Sequence, residues 1–375
     1  MQKTIWSILV CALLSAGCAE QQKGIVVSNP TDIARQELVS IPYSEFTKHF
    51  DVDSIFSVKL IDAETELPYQ LEKIGNTTPE NVLILVPIDA KGEVTLSVAK
   101  QDSKPDFKTQ TYARFVPERF DDFAWENNVL AFRMYGKALE GRPDDAQGTD
   151  VWAKRTEELV IDKWYKENDY HTDHGEGLDY YSVGQTLGAG DVAPYFDNKI
   201  HFTKHYREYQ ILDNGPLRTT FVLSFEPEEL NGETISLTKT ISLDAGQHFN
   251  KVVVDLKNQQ SQSTPVVVGL ARRGESEPQY DFNESSRSLA YWEPDVQGHG
   301  QTGTALILPE SQPTFIDNDS TQFLLSVGIQ QNQPFVYYNG ASWNKAGQVT
   351  SADEWKGFVE KQVEKINNPL VVKLK

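Results

Sequence analysis

Four of the seven histidines, His171, His174, His201 and His205, fall in one window about a tenth of the chain long. Within it, Tyr170-His171-Thr172-Asp173-His174-Gly175-Glu176-Gly177-Leu178-Asp179-Tyr180-Tyr181 alternates titratable groups with glycines, which let backbone and ligand approach closely. Histidine titrates near neutrality unaided, and tyrosine or lysine reaches that range beside a cation or when desolvated. The block therefore carries the residue types of general acid–base catalysis, with His171 or His174 as base and Tyr180 or Tyr181 as acid. Upstream, Asp150-Val151-Trp152-Ala153-Lys154-Arg155 and Asp162-Lys163-Trp164-Tyr165 interleave acids, cations and aromatics, a mixture suited to sugar stacking and carboxylate pairing. The available cations are Arg133, Lys154, Arg155, Lys163, Arg207 and Arg218, each of which also suits an intramolecular ion pair. Arginine fits a carboxylate best, because its planar fork makes two parallel hydrogen bonds.

Glu176 and Asp179 are expected to orient or pair with these cations, although desolvation could make either the base. His174 and Glu176, two residues apart, would share a strand face, and His171 or Asp179 would complete a mixed nitrogen and oxygen set for a divalent metal. No spacing matches a strong zinc motif such as His-Glu-x-x-His. No organic cofactor is expected either, since the glycines of Gly184-Gln185-Thr186-Leu187-Gly188-Ala189-Gly190 do not follow the dinucleotide order and no βαβ unit surrounds them. Trp125, Trp292, Tyr337, Tyr338 and Trp343 could line a sugar cleft, although each is a core residue by default.

The elements that must position these residues read as strands. In Ile235 to Leu243, apolar residues at 235, 237, 241 and 243 alternate with polar ones, so period two buries that face. Asp244-Ala245-Gly246 is a turn, and the β-rich run from Phe249 to Leu256 predicts an antiparallel hairpin. Similar segments occur at Val82 to Pro87, Thr219 to Phe225, Pro265 to Leu270, Thr304 to Leu308 and Phe323 to Ile329. Helix is scarce. The best case has a capping box, Ser351 and Glu354, before an apolar stripe of Trp355, Phe358, Val359, Val363 and Ile366. Many short strands and little helix predict a mostly β chain. The polar stretch Gln101 to Lys108 divides a small β segment, residues 25–105, from a large antiparallel β-sandwich, residues 106–375, that carries the site.

The first residues carry one charge, Lys3, then an apolar run from Ile5 to Leu14, too short to span a bilayer. It ends in Leu14-Ser15-Ala16-Gly17-Cys18, a lipobox in which Cys18 receives lipid; residues 1–17 are then signal peptide and 18–24 a linker. The expected product is a lipoprotein of the periplasm or cell surface, held to the membrane by its anchor. Of the two cysteines, Cys11 leaves with the signal and Cys18 is lipidated, which excludes disulfides and cysteine catalysis. Loss of Lys3 moves the formal net charge from −19 to −20, a field that repels nucleic acid. An acidic substrate then needs a local cluster of cations. The sequence does not indicate an oligomeric state.

Tyr170 to Gly190, Asp150 to Tyr165, Asn214-Gly215-Pro216-Leu217-Arg218 and Tyr337-Tyr338-Asn339-Gly340-Ala341-Ser342-Trp343 together carry a resemblance. From about Ile25 onward the chain resembles the domain of unknown function encoded beside pectin- and ulvan-degrading enzymes of polysaccharide-utilising bacteria, one of which is an ulvan oligosaccharide dehydratase. The resemblance implies a mutarotase-like supersandwich acting on acidic, uronate-containing oligosaccharides. On it we expect a dehydratase that removes water from a non-reducing-end uronic acid to leave a C4=C5 double bond. His171 or His174 would be base, Tyr180 or Tyr181 acid, Arg155 or Arg133 the carboxylate clamp, and Lys163 its aid. Lys154, Trp152, Glu176, Asp179 and Arg218 would contribute to binding. The alternatives are a lyase for the same substrates, a glycoside hydrolase using Glu176 with Asp179 or Asp150, and a non-catalytic sugar-binding lipoprotein.

Overall fold

The hairpin predicted from period two is present in the computed structural model, which describes residues 23–375 apart from Asp62. Glu233–Asp244 and Phe249–Asn258 pair antiparallel with Ile241 opposite Val252. Ile235, Leu237, Ile241 and Leu243 are buried, and so is Lys239, whose ammonium meets Asp191 at 2.5 Å inside the core. Cys18 lies outside the described residues. Among those described, no helix is long and apolar enough to cross a membrane.

The hairpin sits in a nine-stranded antiparallel sheet. One of its faces packs on a second layer built from two five-stranded sheets, and the main hydrophobic core fills the space between. An isolated bridge, Thr149 to Gly188, joins those two sheets edge to edge. Gly188 is required there: its φ is +61°, and a Cβ would come within 2.1 Å of the Thr149 carbonyl oxygen. The outer face of the nine-stranded sheet is covered by the helix Ala352–Asn367, which seats Trp355, Val359 and Val363 on Trp292, Ala305 and Ile307. The fold is therefore a large antiparallel sandwich, as the strand pattern predicted.

A smaller sandwich precedes it. Its sheets of four and three strands enclose a separate core, into which the helix Tyr43–Phe50 inserts Phe46. Residues 101–110 leave it as coil. Val371–Leu374, which the sequence reading grouped with the large domain, forms the edge strand of the four-stranded sheet by pairing with Ile25–Ser28. The first and last strands of the described residues thus both belong to the small sandwich.

Candidate functional site

Residues 170–181 form a ribbon along the edge of the five-stranded sheet that begins at Thr111–Val116. The ribbon follows the short helix Ile161–Glu167, which Asn168 closes in the left-handed conformation. Tyr170 anchors its start by stacking on Trp152, ring centres 5.2 Å apart. Gly177 and Leu178 then pair with Lys154 and Ala153. Gly177 has φ +125°, and a Cβ there would meet the Ala153 carbonyl oxygen at 2.0 Å, so only glycine lets the ribbon join the sheet. Beyond this point strand alternation sends Leu178 and Tyr180 to the Trp343 side and Asp179 to the other.

On the Asp179 side everything is enclosed. The Arg133 guanidinium donates to Asp150, through Nε at 3.0 Å and through Nη2, and to Asp179 at 3.0 Å, with Asp122 at 3.8 Å. The Tyr135 hydroxyl also donates to Asp150, at 3.2 Å. Three buried carboxyls facing one guanidinium cannot all ionise cheaply. Burial pushes the Asp122 carboxyl up to about 7 despite Arg133 and Arg119. Burial, reinforced by Asp150, lifts Asp179 well above the carboxylate range. Arg133 was expected to grip a substrate carboxylate; it grips the protein's own.

Three further expected contacts are likewise engaged internally. Lys154 is fully buried, donating to Glu126 at 2.8 Å and to the Asn127 carbonyl at 2.7 Å, while Glu126 caps the helix by accepting from the Val160 and Ile161 amides. Trp152 lies in an aromatic cluster with Trp164, Tyr165 and Tyr170. Arg218 sits at the joint between the two sandwiches, paired with Asp244 at 2.5 Å and with Glu72 at 3.3 Å. These side chains leave the candidate site because each has a carboxylate or a core of its own.

On the Tyr180 side Arg155, Lys163 and Glu176 reach solvent above the buried Trp343. Arg155 lies over the Trp343 ring at 5.2 Å, donates from Nε to the Gly175 carbonyl at 3.0 Å and pairs through Nη2 with Asp173 at 2.6 Å. Its Nη1 has no partner among the described residues. Lys163 and Glu176 pair at 2.6 Å nearby, and Glu176 also accepts from Trp164 at 3.5 Å. The Tyr180 hydroxyl shares a hydrogen bond with the Thr302 hydroxyl at 2.6 Å, and its ring lies 5.6 Å from His299 and 6.3 Å from Trp343. Desolvation raises the Tyr180 phenol, which keeps it protonated as an acid must be. Tyr181 points into the core beneath Arg273, 4.3 Å from its ring. Arg273 in turn holds the buried Glu293 with bonds of 2.8 and 3.0 Å, and burial pushes the Glu293 carboxyl up to about 7.

The histidine window separates in space. His171 is exposed, with Nδ1 2.8 Å from the Asp179 carbonyl oxygen and 3.7 Å from its carboxylate. His174 is exposed and pairs with Asp169 at 2.9 Å. His205 binds Asp145 at 2.8 Å and His201 packs on Phe196, both away from the ribbon. The expected metal set does not assemble: Glu176 faces Lys163, His174 faces Asp169, and among the described residues no group of three His, Cys, Asp or Glu is placed to hold an ion.

Sequence reasoning missed His299, Thr302, Arg273 and Glu293, which reach the ribbon from the start of the strand Thr302–Ile307 and from loops, all more than a hundred residues downstream of its start. The one usable signal was Gly298-His299-Gly300, in which both glycines take positive φ, 79° and 109°, and bend the loop that presents the imidazole.

Residues 27–372 match the family described as Domain of unknown function (DUF4861). The chain belongs to that family. A relative from Formosa agariphila named Uncharacterized protein P7 is 30% identical, over 98% of each chain. Among solved structures, the family member described here is similar in fold to an alpha-mannosidase from Enterococcus faecalis V583, with TM-score 0.53, 8% identity, and 94% of this chain and 46% of that one covered. A glycosyl hydrolase family 38 protein from Enterococcus faecalis gives TM-score 0.55 and 7% identity, covering 95% of this chain and 48% of that one. The chain spans about half the length of those structures, and the likeness is one of fold.

Proposed function

We propose that this protein is a dehydratase of uronate-terminated oligosaccharides, of the ulvan type, working at the Arg155–Trp343–Tyr180–His299 face. The observation that carries the reading is the Arg155 guanidinium, its Nη1 unpartnered among the described residues, seated on the Trp343 ring that Tyr180 also approaches, with His299 next to Tyr180. In a uronic acid the C5 hydrogen lies next to a carboxylate, and its removal creates a dianion. A cation must therefore offset the carboxylate first, and Arg155 supplies it through a fork geometry that lysine lacks.

His299 then takes the C5 proton. The electrons of the C5–H bond form the C4=C5 double bond as the C4–O4 bond breaks, and Tyr180 delivers its proton to the departing oxygen. When O4 is a free hydroxyl at a non-reducing end, the products are water and an unsaturated uronate. Were O4 to carry another sugar, the same parts would make a lyase. The resemblance to the group containing the ulvan oligosaccharide dehydratase favours the first outcome. Lys163 and Glu176 border this face and suit contacts to the neighbouring sugar.

His171 as base is a second reading, favoured by the fixed Nδ1, which leaves Nε2 directed away from Asp179. Glycoside hydrolysis is disfavoured, since Asp150 and Asp179 are enclosed around Arg133 and cannot flank a bond. The fold shared with an alpha-mannosidase and with a glycosyl hydrolase family 38 protein supports a carbohydrate substrate, and the lipobox at Cys18 supports a site of action in the periplasm or at the cell surface.

The test is incubation with defined uronate-terminated oligosaccharides followed by mass spectrometry and absorbance of the unsaturated product. Loss of one water is expected, and Tyr180→Phe should slow it about 10²- to 10⁴-fold. Two fragments instead would mean a lyase or, without unsaturation, a hydrolase. Full activity of Tyr180→Phe would remove this face from the mechanism.

A further inference from the structure

Arg218 opens onto a crevice of 440 Å³ between the small sandwich, the nine-stranded sheet and the C-terminal helix. That volume lies within the ~300–1,000 Å³ of small-molecule sites. Its floor has a regular construction. Ser242 is directly opposite Lys251, and Lys251 is directly opposite Tyr338, on three adjacent strands. Directly opposed residues share a sheet face, so a hydroxyl, an ammonium and a phenol stand in a row, and all three line the crevice.

The charges there are unequal. Arg218 is matched by Asp244 at 2.5 Å, and Lys365 shares Glu37, at 3.3 Å, with Arg35 at 3.4 Å. Lys251 is exposed and makes neither an ion pair nor a hydrogen bond among the described residues. A free ammonium therefore faces a polar crevice on a chain whose net charge is −19. The walls are fixed independently of any ligand. Val371–Leu374 is paired with Ile25–Ser28, and Arg35 donates to the Asn368 carbonyl at 2.7 Å, which ties the helix end to the small sandwich.

We propose that this crevice is a second saccharide site that takes a carboxylated sugar residue. The Lys251 ammonium pairs with the carboxylate, the Tyr338 ring carries a sugar face and the Ser242 hydroxyl bonds a ring hydroxyl. The sugar class rests on the proposed function, whereas the site is separate from the Arg155 face. An oligosaccharide held here would be retained on a molecule whose overall field repels it.

The experiment is calorimetric titration of the full chain carrying Arg155→Ala, which silences the other face, with a saturated glucuronate-containing disaccharide and with its neutral glucose counterpart. Arg155→Ala should still bind the acidic disaccharide, adding Lys251→Glu should weaken binding about tenfold or more, and Lys251→Arg should restore it to within about threefold. Equal binding of Arg155→Ala with and without Lys251→Glu would overturn the proposal, as would equal binding of the neutral sugar. Loss of all binding in Arg155→Ala alone would remove the crevice and leave the dehydratase reading standing. Lys251-dependent binding together with no water loss from any substrate would do the reverse.

Discussion

Arg133 and Arg155 flank the same ribbon on opposite sides, and their surroundings differ in almost every respect. Arg133 is sealed, its side chain 5% exposed among three carboxyls, whereas that of Arg155 is 30% exposed, with one carboxylate and one idle nitrogen. The difference teaches that an arginine serves a ligand only where the protein leaves its fork incomplete. Replacing each in turn should separate stability from activity. Arg133→Ala leaves buried carboxyls without their cation and should cost about 3–5 kcal/mol in urea unfolding near neutral pH. Arg155→Ala should change stability by less than about 0.5 kcal/mol yet lower turnover about 10²- to 10³-fold, with Arg155→Lys recovering part of the loss. An Arg133→Ala protein with full stability and no activity would break the contrast.

The buried carboxyls carry a pH signature of one sign. Asp122 is held near 7 when folded, against about 3.9 in an unfolded chain, so between those values the native state binds the extra proton. Stability from this group is therefore greatest below about pH 4 and falls as pH rises to about 7, after which it is level. Glu293, also pushed up to about 7, adds a slope of the same sign. Asp122→Asn keeps the shape without the charge. Its unfolding midpoint should exceed the wild-type value near pH 8 and match it near pH 4. A gain of equal size at both would assign the effect to packing rather than to titration.

How much of this was legible depended on the range of the interaction involved. Alternation from Ile235 to Leu243 identified the central hairpin, because a buried strand face writes itself into neighbouring residues. Lys239 occupies an inward position of that alternation and was passed over as polar; Asp191, distant in sequence, lets it stay inside. Ser351 caps the last helix as read, accepting from the Glu354 amide at 3.3 Å, yet Glu354 answers to Thr350, at 2.7 Å from its amide, one residue before the expected partner. The return of Val371–Leu374 to the first strand had no local trace at all. The same holds for the site: Tyr180 lay in the marked window and Arg155 in the segment upstream of it, but whether Arg133 or Arg155 stays open is decided by Asp122 and Asp150, and His299 arrives from a distant loop.

The smallest expected effect concerns two histidines that look equivalent in the sequence. Both are exposed, but His171 is fixed at Nδ1 by the Asp179 carbonyl, on a ribbon whose Asp179 side chain is locked by Arg133, whereas His174 meets only the exposed Asp169. A base must be held in place before its pKa matters, and a solvent-facing pair between two flexible side chains holds little. His174→Ala should therefore leave turnover within about twofold of wild type and stability within about 0.5 kcal/mol. His171→Ala, compared in the same assay with His299→Ala, then ranks the two candidate bases. A large loss in His174→Ala would show that exposure, rather than anchoring, selects the working histidine, and would move the chemistry from the Trp343 side to the tip of the ribbon.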